Sequence, residues 1–203
     1  MSVQLSAPAD LPAAFRRAVA GLSDVALRPE VVVSELPAPQ RLAPYAVAMH
    51  ASVVQGGDEL ADGRLVVLHD PAGQEVWEGT TRCVAYVQAA LDVEIASDPL
   101  LPGVGWAWLV EALEAAGAGH RAAGGTVTRT TSERFGALVD HPTVAEVEIR
   151  ASWSPDGADL GPHVVAFGEL LCAAAGLPPM PPGVVPMPAN RRKRATATAT
   201  RRR

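Results

Sequence analysis

Lysine is nearly absent from this chain: Lys193 is the only one among 17 basic residues. With alanine and arginine abundant, that pattern reads as the usage of a GC-rich genome more than as a functional signal. Cysteine is scarce as well. Cys83 and Cys172 stand far apart, with no CxxC pair and no disulfide framework, which fits a reducing cytoplasm. No apolar segment approaches the ~18 residues of a membrane span, so no membrane partner is expected. The opening MSVQLSAPAD has neither a basic start nor an apolar run, so no signal peptide is expected.

Catalytic and ligand motifs are missing too. There is no GxSxG, no P-loop, and no GxGxxG between a strand and a helix. His50, His69, His120, His141 and His163 form no HxH, HxxxH or HxxE pattern, so neither a metal nor a cofactor is expected. Acidic residues dominate the body. Seven of the 17 basic residues fall in 190–203, leaving ten against 22 acidic ones elsewhere. A body so acidic repels a phosphate backbone unless a local basic patch overrides it.

What remains is a foldable chain of 203 residues, 48% hydrophobic, which suits one domain with a tail. The pattern predicts a flexible N-terminus over 1–9, a single α+β domain over 10–176, a proline-rich linker over 177–189, and a disordered basic tail over 190–203. The linker has six prolines in LPPMPPGVVPMP, and the tail has no core-forming residue.

Within the domain, Asp10 can cap a first helix, with Pro12 in its opening turn and Leu11, Phe15, Ala18, Val19 and Leu22 on one face. PEVVVSEL reads as a strand. YAVAMHASVV alternates, with Tyr45, Val47, Met49, Ala51 and Val53 facing one way. RLVVLH is apolar on both faces and so is expected in the middle of a sheet. DPAG suits a tight turn, and QEVWEG a short extended piece. A helix is expected to follow, capped by Thr80 or Thr81, with a stripe of Cys83, Val87, Ala90, Leu91 and Ile95.

After the break at SDPLLPG a second helix carries Trp106, Leu109, Val110 and Leu113 on its main stripe. Trp108 lies about 200° around the axis from Trp106. GGTVTRTTSERFG and TVAEVEIRASW are the last strands, a hairpin with a long connection. In the second of them Ala145, Val147, Ile149, Ala151 and Trp153 point inward. Glu146, Glu148 and Arg150 are expected in ion pairs with Arg129 and Glu133 on a solvated face. A final helix buries Val164, Phe167, Leu171 and Ala174 and stops at Gly176. The predicted class is α+β, a mainly antiparallel five-stranded sheet in the order α-β-β-β-α-α-β-β-α with helices packed on it.

That element order resembles the type III secretion chaperone-like fold, also seen in YbjN-like proteins. A closer resemblance lies in short segments: RPE (28–30), RLAP (41–44), LHDP (68–71), DPLL (98–101), GWAWL (105–109), GGTVT (124–128) and AGLPP (175–179). Together, in this order, they resemble the actinobacterial domain-of-unknown-function family numbered three thousand, over roughly residues 10 to 185. The resemblance implies a cytoplasmic protein of about this size with no assigned activity, and no catalytic residue carries over.

Three functional readings follow. The leading one is a non-enzymatic, adaptor- or chaperone-like module for an unknown protein partner, with a homodimer as one form. Trp106, Trp108 and Trp77 are its candidate binding residues, because aromatic anchors carry much of the energy of interfaces. The second is an enzyme of undetected type with His69, Asp70 and Arg82 around a pocket. Against it, Asp70 is better read as a turn-opening carboxylate that bonds backbone amides, and Cys83 and Cys172 read as buried thiols. The third is a nucleic-acid role for Arg191, Arg192, Lys193 and Arg194, in a tail that lacks aromatic stacking platforms.

Overall fold

The computed structural model describes residues 11–180. Asp10, the flexible 1–9 segment, the linker beyond Met180 and the basic tail lie outside the described residues.

Among the described residues six strands form one sheet in the order β1-β2-β3-β4-β6-β5, with every neighbouring pair antiparallel. They are β1 (Val31–Leu36), β2 (Tyr45–Gln55), β3 (Asp58–Gln74), β4 (Gly79–Leu91), β5 (His120–Ser132) and β6 (Val144–Pro155). The helices are α1 (Ala13–Ala20), α2 (Val93–Ser97), α3 (Leu101–Ala115) and α4 (Gly161–Ala174). The α+β class stands. The strand count is corrected from five to six, and the order becomes α-β-β-β-β-α-α-β-β-α.

The extra strand is β4, in place of the helix expected after Thr81. Cys83 and Val87 satisfy a helical stripe and a period of two equally well. The structure realises the second: Cys83, Ala85, Val87 and Ala89 are buried, and Arg82, Val84, Tyr86 and Gln88 alternate with them. Alanine favours a helix locally, but pairing on both edges, with β3 and with β6, decides the outcome. With it goes the element order that carried the chaperone-like resemblance.

The turn also moves. DPAG lies inside β3, where the β3–β4 register slips between His69 and Gln74. The chain reverses instead through a 3-10 turn at Glu75–Trp77 and Glu78, which has φ 53°. By contrast, β2 and β3 are joined by Gly56-Gly57 alone, with φ 67° and 106°. A two-residue hairpin loop favours φ > 0 at both positions, and glycine meets that without strain.

One face of the sheet carries the core. Val47, Met49, Leu65, Val67, Cys83, Val87, Val147, Ile149 and Trp153 meet Phe15, Val19 and Leu22 of the N-terminal helix and turn, together with Leu109, Leu113, Val164, Phe167 and Leu171. The stripes expected on α1, β6 and α4 are all buried there, apart from the half-buried Ala18. Two glycines set the approach distances. A Cβ on Gly105 would stand 3.1 Å from Val127 of β5, and one on Gly63 would stand 2.4 Å from the Tyr86 carbonyl oxygen.

On the opposite face Tyr86 is the hub. Its hydroxyl donates to Glu148 at 3.0 Å, and Arg64 and Arg150 lie over its ring. The Arg150–Glu148 ion pair lies within β6 at 2.8 Å. Arg129 does not share this face: it sits opposite Val147, and its guanidinium donates to the carbonyls of Ala96 and Asp98.

Candidate functional site

The residues proposed for chemistry do not converge. His69 and Thr81 are cross-strand partners on the helix-bearing face. Nδ1 of His69 lies 3.1 Å from the Thr81 hydroxyl, and its ring stacks on Phe15 at 4.8 Å. Burial lowers its pKa. Arg82, one residue on, projects from the other face. There its guanidinium donates to the Ala122 carbonyl and the Ser152 hydroxyl, each at 2.8 Å, and to Ser154 at 3.2 Å. Asp70 accepts the Ala72 backbone N–H at 3.0 Å and the Gln74 side-chain amide, a local turn contact. The sheet itself separates His69 from Arg82.

His69 does line a cleft of about 290 Å³, with Phe15, Thr81, Arg121, Asp156 and Leu160. Arg121 is committed there. Its NH1 pairs with Asp156 at 2.6 Å, its Nε donates to the Glu78 carbonyl, and a Cβ on Gly79 would meet its NH2 at 2.7 Å. Arg121 thus bridges β5, the β3–β4 turn and Asp156 at the wall of the cleft.

Neither thiol is poised as a nucleophile. Both are buried, and burial pushes each up to about 12. Among the described residues no group of three or more His, Cys, Asp or Glu side chains is placed to hold a metal ion. Among the same residues no helix is long and apolar enough to cross a membrane.

The three tryptophans separate. Trp77 is buried and its carbonyl accepts the Ser154 hydroxyl. Trp106 packs toward β5, where a Cβ on Gly125 would meet its ring at 3.0 Å. Trp108, on the other side of α3, is half-buried and walls a groove of about 630 Å³ between α3 and α4. The groove is floored by small side chains, Ala112, Ala115, Ala116 and Ala173, because alanine at these positions of both helices leaves the space unfilled. Glu111 and Glu169 contribute carboxylates to its lining.

Arg28, which sequence reasoning reached only as part of RPE, anchors one end of this groove. It is 8% exposed, and its NH1 donates to the Pro178 carbonyl at 2.9 Å and lies 3.7 Å from Glu169. Its NH2 lies 3.5 Å from Glu30. Burial works against its charge, but Cys172, Glu30 and Glu169 together outweigh burial, and its pKa is raised. Through this contact Leu177, Pro179 and Met180 become groove wall. Nothing in the local sequence signals that, since the contact spans 150 residues. Arg191, Arg192, Lys193 and Arg194 lie outside the described residues.

No curated protein and no solved structure matches the chain. A family profile does match, over residues 11–185, from the buried Leu11 through the groove-forming 177–180 segment. The chain belongs to that family, described as "Protein of unknown function (DUF3000)".

Proposed function

We propose that this protein is a polypeptide-binding module, adaptor-like rather than enzymatic, whose α3–α4 groove takes a partner segment with an apolar row flanked by basic side chains. The observation that carries this reading is the groove itself: about 630 Å³, walled by Trp108 and floored by alanines. Its volume is within the range of ligand sites. An apolar floor between two helices suits an inserted row of partner side chains, and a half-buried indole suits an anchor. Glu111 sets the sign of the complement, because Arg28 and Glu169 already answer one another and Glu30 adds a further negative charge beside Arg28. The body's acidic excess favours the same partner over an acidic one. A cytoplasmic location belongs to this reading, supported by two buried, unpaired thiols.

The test uses two synthetic helical peptides with the same leucine row, one flanked by lysines and one by glutamates, titrated calorimetrically into the full chain. The lysine-flanked peptide should bind one to one. Glu111→Lys should weaken it, and Trp108→Ala should weaken it by about tenfold or more, the range of an interface anchor. Equal binding of both peptides, or binding indifferent to Trp108→Ala, refutes the assignment.

A further inference from the structure

The two edges of the sheet are built differently. β1 is six residues long, has Pro29 and Pro37 close to its ends, and carries Glu35. These are the usual defences of an edge against pairing with another chain. β5, the other edge, runs for thirteen residues and, among the described residues, pairs only with β6. From Gly124 to Ser132 it has no proline and no acidic residue, and all but Val127 are exposed. The β5–β6 register slips between Arg121 and Gly124 and is continuous from there to Ser132. Its only charge over that stretch, Arg129, is held by the Ala96 and Asp98 carbonyls and does not guard the edge. A long strand edge with unopposed N–H and C=O groups is a template for strand addition.

We infer that β5 is a homodimer edge, pairing antiparallel with β5 of a second copy about a two-fold axis normal to the sheet and centred at Thr128. Such an axis keeps each strand face on the same side in both copies. Side chains that face each other must therefore have positions of equal parity. Centred at Thr128, the pairing sets Thr128 against itself, Thr126 against Thr130, and Val127 against Arg129. Threonine pairs are favourable across strands, and no like charges meet. A centre at Arg129 would oppose two guanidinium groups. The strand is thus its own complement, and its freedom from acidic residues lets two acidic bodies approach there. Phe135, 75% exposed on the connection leaving β5, gains cover from the second copy. The two helix layers fall on one side of a continuous twelve-stranded sheet, with both α3–α4 grooves outside the contact. The inference is therefore independent of the groove reading.

Sedimentation velocity of the full chain tests it. The expected species has twice the 21.1 kDa chain mass. Thr128→Glu places like charges at the axis and should give a monomer with an unchanged circular dichroism spectrum. Register is tested by two double variants. Thr126→Glu with Thr130→Lys faces opposite charges across the axis and should stay dimeric. Thr126→Glu with Thr130→Glu should be monomeric. A monomeric wild-type chain at hundred-micromolar concentration overturns the proposal, as does a dimer that Thr128→Glu leaves intact.

Discussion

The indole N–H of Trp153 donates to Nδ1 of His163 at 3.0 Å, with both side chains buried. The bond ties the first turn of α4 to the inner face of β6 and places the proton of the neutral imidazole on Nε2. Protonation of Nδ1 would break it.

Acid stability should report this pair. Burial, with nearby His120 adding to it, pulls the pKa of His163 down from 6.5 to about 4. The folded value lies below the unfolded one, so the unfolded chain binds the extra proton between them. The stabilisation is complete above pH 6.5, falls as pH drops toward 4, and levels off below. A shift of that size corresponds to about 3 kcal/mol. Urea unfolding at pH 7, 5.5 and 4 should show the decline, and His163→Leu should flatten it while costing about 1–3 kcal/mol at pH 7 for the unpaired indole N–H.

Removing the Arg28 charge should release the end of the groove. Arg28→Met leaves the Pro178 carbonyl without its donor and Glu30 and Glu169 without their cation. Both carboxylates are partly solvated, so the loss should be about 1–3 kcal/mol, below that of a fully buried pair. Hydrogen exchange at Leu177 and Met180 should accelerate more than exchange in the central strands. Equal protection in the variant would contradict the anchoring role.

Gly63→Ala should be among the most damaging single-methyl changes. Its Cβ would stand 2.4 Å from the Tyr86 carbonyl oxygen and 3.1 Å from Leu171, so β4 must shift away from β3. Overpacking of this kind costs about 1–3 kcal/mol, readable as a lowered Tm. Gly124→Ala, where a Cβ meets nothing within 4 Å, is the matched control.

Thiol chemistry offers a check on packing. With both pKa values pushed up to about 12 and both sulfurs buried, a disulfide reagent at pH 8 should label neither cysteine in the native protein. Both should react on unfolding in guanidinium. Rapid native labelling of Cys172 would mean that α4 opens on its own.

The residue patterns alone determined much of this molecule. Where one periodicity dominates, the element and its buried face follow directly: Phe15 and Val19 on α1 with Leu11 and Leu22 flanking it, Ala145 to Trp153 on β6, Val164, Phe167 and Leu171 on α4. A hydrophobic face has only one favourable destination, so the local pattern and the packed structure agree. The RPE-to-AGLPP segments pointed to the family for the same reason, being short and local. The tertiary structure decided what two local patterns could satisfy equally. Cys83 and Val87 suit a helix or a strand, and only hydrogen bonding to β3 and β6 made β4 a strand. It also decided which side chains meet across distance. The sheet parts His69 from Arg82, Trp108 finds a groove because α3 and α4 pack side by side, and Arg28 reaches Pro178. Those relationships depend on strand order and helix placement, which no window of neighbouring residues encodes.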